Sequence, residues 1–199
     1  GLTEFHALPA AARIMEAHDQ ALQPLDLSGA TFFDAETESN MPKFGIFFKS
    51  LGLKTFSFYD FIVRPPEKKK LLADAFDIDF EHPHAGFEAL VAEEMTVDSL
   101  WRFLEDLRNS GDNGSFPIPS DRPTDLEVKK LAKSALKGNK GAGWAARLFE
   151  GCEVAELPVS VTSFLQKIYS AFPKPVEVSL EDGAEVVLDD ALPPGAEPA

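Results

Sequence analysis

The chain has 199 residues, with 33 acids against 19 lysines and arginines, a formal charge of −14 and one cysteine. That length suits one well-buried domain with appendages rather than two large domains, and a lone thiol excludes an internal disulfide and fits a reducing, cytoplasmic setting. No run approaches the roughly 20 apolar residues of a membrane span, and a start at Gly1 with neither a basic nor an apolar leader reads as a fragment without a secretion signal.

Phe5, Leu8, Ala12 and Met15 fall three and four apart, which predicts an amphipathic helix capped by Thr3, with Pro9 as a kink or restart. Residues 30–33 read as a short buried strand ending in the acidic turn that holds Asp34, Glu36 and Glu38. Asn40 then caps a helix with Pro42 in its first turn. Phe44, Phe47, Phe48 and Leu51 share one face of it, and Gly52 supplies a left-handed stop. Residues 53–58 are apolar on both faces, as expected of a strand covered by helices on both sides, and end at Tyr59-Asp60.

A helix from Pro65 to about Phe76 leads to a strand at Ile78 and Phe80 that ends at Glu81-His82-Pro83-His84, and this alternation predicts a mostly parallel sheet. From Gly86 onward the pattern is helical. Helices are expected over 87–91, after Thr96, after the Thr124/Glu127 capping box, and around 144–149 and 161–172. A Gly-, Asn-, Ser- and Pro-rich surface loop separates the second of these from the third. The expected organisation is an α/β part over 1–95, a helical part over 96–172 completing the same domain, and a tail over 173–199. That tail holds seven acids against Lys174 alone and is expected to be disordered.

In open parallel sheets ligands bind at the carboxyl ends of the strands. Asp34, Glu36, Asp60 and Glu81 fall at such ends, Glu4 opens the first helix and Glu88 follows the last strand. Grouped carboxylates repel one another unless cations neutralise them, so a hard divalent ion, Mg²⁺ or Mn²⁺, is the natural partner. Asp60 ends the most apolar strand, where a charge needs a partner. Glu38 and Glu81 read as solvated loop carboxylates, the histidines as surface residues, Trp101 and Trp144 as core, and Cys152 as a buried, inert thiol. Arg64, Lys68, Lys69 and Lys70 form the clearest basic cluster, fit to track a DNA backbone or simply to solvate a helix start; Lys133, Lys137 and Lys140 form a second basic face.

The run Asp34-Ala35-Glu36-Thr37-Glu38-Ser39-Asn40-Met41-Pro42-Lys43-Phe44, with Leu51-Gly52-Leu53-Lys54-Thr55-Phe56 and Phe58-Tyr59-Asp60, resembles the Toprim nuclease domain of the overcoming-lysogenization-defect (OLD) family of ATP-dependent endonucleases. The likeness is to the class encoded beside a UvrD-like helicase. The opening Gly1-Leu2-Thr3-Glu4, the run Ala85-Gly86-Phe87-Glu88-Ala89-Leu90, and Lys140-Gly141-Ala142-Gly143-Trp144 with the residues to Leu148 extend it over most of 1–172.

The resemblance implies a Rossmann-like Toprim sheet and metal-dependent DNA cleavage in phage defence. Metal ligation would fall to Glu4, Asp60 and Glu88, with Lys140 at the scissile phosphate and Asp34 and Glu36 as secondary ligands; apart from the resemblance, Lys137 joins Arg64, Lys68, Lys69 and Lys70 as a candidate DNA contact. It implies ATP only in an N-terminal ATPase domain of a parent protein, which would dimerise through that domain; no phosphate-binding Gly-x-x-x-x-Gly-Lys-[Ser/Thr] loop occurs here. The glutamate that Toprim domains carry before the glycine lies outside this sequence. The usual Asp-x-Asp stands here as Asp60-Phe61-Ile62, which removes one ligand that Asp34 or Glu36 would supply. Two other readings remain open: a phosphoryl-transfer domain with Asp60 as acceptor, and a degenerate Toprim fold kept as an interaction module.

Overall fold

In the computed structural model, residues 1–173 are described; the acidic tail expected beyond them lies outside the described residues, Pro173 apart. Helix α1 (Leu2–His18) is followed by α2 (Met41–Ser50), strand β1 (Phe56–Asp60), α3 (Pro66–Ala75), β2 (Ile78–His82), α4 (Phe87–Glu94), α5 (Val97–Ser110), α6 (Asp125–Gly138), α7 (Trp144–Glu150) and α8 (Val159–Ala171). The class is α/β, mostly helical, with a small parallel sheet between helices. Strands β1 and β2 pair in parallel with Phe58 beside Phe80 and Asp60 beside His82.

Strand alternation sorts this sheet into two unlike faces. Phe56, Phe58 and Phe80 face the core: Phe58 stacks beside Phe80 with ring centroids 5.7 Å apart and meets Phe164 of α8 at 5.0 Å and Phe87 of α4 at 6.3 Å. Ser57, Tyr59, Asp79 and Glu81 fall on the other face, where the Tyr59 hydroxyl donates to Asp79 at 3.0 Å. Burial and that carboxylate push the Tyr59 phenol well above its ordinary range, so it stays protonated. The expectation of a strand apolar on both faces therefore holds for one face only.

Residues 30–33 form no ladder with β1 or β2, contrary to the expected strand. They run extended, with Phe32 against the core and Phe33 more than half exposed, packed on Phe44 and Phe48. Four residues carrying a single core-facing ring bury too little to compete for a place in the sheet. Helix α1 runs on without interruption through Pro9, and its N-cap is Gly1 rather than Thr3. Its buried face is Ala7, Leu8, Ala10, Ala11, Ala12 and Met15; the small side chains let α7 and α8 close on it, while Phe5 stays partly exposed.

The helical part follows its punctuation. Thr96 caps α5 by accepting from the Ser99 amide at 3.1 Å, Gly111 ends it in the left-handed region, and the Thr124/Glu127 box opens α6. Trp101 and Trp144 lie in one core with Leu104, Leu107, Phe149 and Leu165, and that core continues through α1 and α4. No helix among the described residues is long and apolar enough to cross a membrane.

The aromatic face of α2 is not its buried face. Pro42 and Gly45 are the buried positions, Phe47 is 54% exposed, and a Cβ on Gly45 would lie 2.6 Å from the Ala75 carbonyl of α3. A glycine-to-alanine change inside a helix ordinarily stabilises by about 1 kcal/mol, whereas overpacking against fixed backbone costs about 1–3 kcal/mol. The clash decides the sign: Gly45→Ala is expected to lower stability by about 1–2 kcal/mol, read as an earlier urea midpoint. Burial also pushes the Cys152 thiol up to about 11. Its alkylation by iodoacetamide at pH 8 is expected to be about 100-fold slower in the folded chain than in urea, because the thiolate is the nucleophile.

Candidate functional site

Beyond the ends of β1 and β2, four separate elements bring charged side chains together. Glu88 stands in the first turn of α4, where the helix N-terminus favours a carboxylate. Its placement follows from its neighbours. Gly86 takes a φ of 113°, open essentially to glycine alone, and Phe87, 1% exposed, is locked against Phe58 and Phe149, leaving Glu88 at the rim of the core. Thr3 Oγ1 of α1 donates to Glu88 Oε1 at 3.3 Å, and Lys140 Nζ lies 3.0 Å from the same oxygen.

Lys140 sits in a single 3₁₀ turn after α6 that packs on the start of α1. The Glu88 hydrogen bond holds the ammonium above its ordinary lysine value, helped by the fields of Glu88, Glu4 and Asp60 and opposed by partial burial. It is therefore a fixed cation at neutral pH and not a base. Glu4, one turn into α1, lies 3.3 Å from the Gly1 amine, which is 3.6 Å from Asp34. Glu88 and Lys140 thus form a contact pair that the fields of Glu4 and Asp60 reach.

The remaining expected residues fall elsewhere. Glu36 is exposed in a turn where Asp34 Oδ1 accepts from its amide at 2.8 Å; its φ of 62° is a left-handed geometry costing a non-glycine residue about 1 kcal/mol. Lys68, Lys69 and Lys70 are exposed on α3, and Lys137 is exposed on α6. Lys69 and Lys70 line a cleft of about 420 Å³ with Tyr59, Asp79 and Glu81. Since Tyr59 and Asp60 point to opposite faces of β1, that basic cleft does not open onto Asp60.

Arg64 departs from its expected phosphate-binding role. It is buried, and all five guanidinium N–H donors are taken: by both carboxylate oxygens of Glu38, by Glu81, and by the carbonyls of Asp60 and Ile62. No donor is left for a phosphate. Glu38 and Glu81 are accordingly not merely solvated loop carboxylates. Together they tie the acidic turn and the end of β2 to the loop that carries Asp60.

His82, expected at the surface, is fully buried, its ring 4.9 Å from that of Phe58. Its Nε2 lies 2.9 Å from Asp60 Oδ1, off the line of a good hydrogen bond, and neither atom has another hydrogen-bond partner. Strand parity held the signal, because residue 82 shares a face with 78 and 80; the parallel register that sets it beside Asp60 did not show in the sequence. Thr3 was missed as a site residue because a threonine near a helix start reads first as a cap.

Among the described residues no three His, Cys, Asp or Glu side chains gather around one point as a formed metal site. The donors nonetheless fit a hard divalent cation by their chemistry, being carboxylate oxygens only. Lys140 is a cation facing these acids.

Comparison with protein-family models, with curated proteins and with solved structures gives no match for the chain.

Removing Arg64 leaves two carboxylates facing each other without a cation. Breaking a buried pair costs about 3–5 kcal/mol, and less here because Glu38 and Glu81 keep some contact with water. Arg64→Leu is expected to destabilise by about 2 kcal/mol in urea unfolding. Adding Glu38→Gln and Glu81→Gln should recover part of that loss, whereas Arg64→Lys should not, since an ammonium has too few donors for these acceptors.

Proposed function

We propose that this chain is a divalent-metal-dependent DNA endonuclease domain of the Toprim kind, with Glu4, Asp60 and Glu88 holding Mg²⁺ or Mn²⁺ and Lys140 contacting the scissile phosphate. The observation that carries the reading is convergence: Lys140 pairs with Glu88 and feels Glu4 and Asp60, although these residues come from four elements spread over more than half the sequence. Structural ion pairs seldom need three acids for one lysine, whereas a site that handles a phosphodiester needs both signs of charge side by side.

When bound, such cations supply Lewis-acid activation of the phosphate and a more acidic water as nucleophile. The chain's own residues do the rest. Thr3 holds one Glu88 oxygen, so the carboxylate keeps its direction when Lys140 turns away. Lys140, half-exposed and permanently charged, can exchange the Glu88 oxygen for a phosphate oxygen and stabilise charge building there. Arg64 fixes the backbone on either side of Phe61, where the second Asp of the Toprim pattern is replaced by Ile62. Asp34, less exposed than Glu36, is the better candidate to take the vacated ligand role. Partner ATPase and helicase components belong to the same proposal and rest on sequence resemblance alone.

A second reading, an interaction module that cuts nothing, is favoured by the lack of a formed three-ligand group among the described residues.

Supercoiled plasmid incubated with the chain in Mn²⁺, Mg²⁺ or EDTA separates the two. Metal-dependent nicking is expected, lost by about 100-fold or more in Asp60→Ala and Glu88→Ala, since each removes several kcal/mol of charge stabilisation. Intact plasmid together with no Mn²⁺ binding by the folded chain would leave the interaction module as the better reading.

A further inference from the structure

We propose that His82 is a positioning residue for Asp60, holding the carboxylate by Nε2–H so that one oxygen is fixed and the other faces the acidic group. This rests on the cation-site reading above and adds to it a residue that sequence resemblance does not assign.

Three observations carry it. First, the pair is built into the fold: Asp60 and His82 are register partners on β1 and β2, both on the face whose other members are Phe56, Phe58, Ile78 and Phe80. Second, the imidazole is fully buried while Asp60 is 37% exposed, and the Asp60 oxygen nearest to it, Oδ1, is itself buried. The exposed part of the carboxylate is therefore not Oδ1. Third, the ring's other nitrogen is already used. His82 Nδ1 accepts from the His84 amide at 3.3 Å, and His84 is tied down by Glu94 at 2.9 Å, which in turn accepts from the Ser160 amide and hydroxyl of α8.

The tautomer follows from that third contact. An Nδ1 that accepts a hydrogen bond carries no proton of its own, so in the neutral ring the proton sits on Nε2, facing Asp60 Oδ1. A direct metal-ligand role would need the opposite arrangement, with the Nδ1 proton driven against the His84 N–H. The proposal requires Asp60 to turn about its soft terminal torsion so that the 2.9 Å contact comes into line. The result is a carboxylate whose orientation is set from behind by an imidazole, itself set by backbone, in the way outer-shell groups orient metal ligands.

Two measurements test this. Long-range ¹H–¹⁵N correlation of the unaltered chain is expected to show His82 protonated at Nε2; protonation at Nδ1 overturns the proposal. Mn²⁺ titration followed by electron paramagnetic resonance is then run on the unaltered chain, Asp60→Ala, His82→Phe and His82→Gln, with thermal melting of each. Phenylalanine fills the slot beside Phe58 without a donor, and glutamine returns an N–H near the place of Nε2. His82→Phe is expected to weaken Mn²⁺ binding about 10- to 100-fold, and His82→Gln to restore most of it.

Equal affinity in a folded His82→Phe chain sinks the proposal while leaving the cation site standing. Absence of Mn²⁺ binding by the unaltered chain sinks both. If His82→Phe melts early, the tautomer and the His82→Gln titration decide.

Discussion

Two parallel strands of five residues cannot hold each other in water, and the site exists only because helices clamp one face of this pair. Phe58 and Phe80 supply the apolar surface, and Phe87 and Phe164 cover it from α4 and α8. Full burial of a ring such as Phe87 contributes about 2–3 kcal/mol, enough for a few rings to decide whether so short a ladder forms. The same ring that closes the core also fixes the first turn of α4, and hence Glu88. Packing and site are therefore one construction, and the charged residues at the strand ends inherit their positions from phenylalanines.

How a chain of charge −14 places its acids follows from which cations it sets among them. Arg147 takes Asp106 and Asp112, Arg102 takes Glu156, and Arg122 takes Asp98 and Asp125, all at or near the surface where such pairs contribute little. Arg64 differs in being buried and in linking three segments that are distant in sequence. Its loss would reach Asp60 through the backbone it holds. The basic cluster expected to meet DNA thus divides into one buried strut and three exposed lysines of α3.

Much of the helical part was legible in the sequence because its signals are local. The Thr124/Glu127 box, the Thr96 cap and Gly111 act within one turn of the residues they punctuate, and the helices begin and end where those residues stand. Strand edges and side-chain partners were less legible because they depend on register and on contacts far along the chain. Residues 30–33 have strand composition and no ladder. The aromatic stripe of α2 reads as a buried face, yet the close approach of α3 selects Gly45 instead. Of the site, Glu4, Asp60, Glu88 and Lys140 could be named in advance. His82 and the partners of Arg64 needed the fold, since nothing local marks residue 82 as lying beside residue 60 or residue 38 as lying beside residue 64.

The difference between the two faces of the sheet bears on where chemistry is to be sought. On the Tyr59 face the buried Ser57 hydroxyl has no partner, but the charged groups satisfy one another: five guanidinium donors meet five acceptors, and the Tyr59 hydroxyl meets Asp79. A network closed in this way gains nothing from a ligand and would lose hydrogen bonds to admit one. On the Asp60 face, one ammonium is shared among the fields of three carboxylates, its hydrogen-bonded pairing is with Glu88 alone, and Asp60 has a buried oxygen with a single neighbour at 2.9 Å. Such a group is under-neutralised by the chain itself. Added positive charge, or a phosphate carried in with it, lowers its energy where it would raise that of the other face. The asymmetry arises from strand parity, with Tyr59 and Asp60 on opposite sides of one backbone, and it makes the Asp60 side the place to seek the proposed cation.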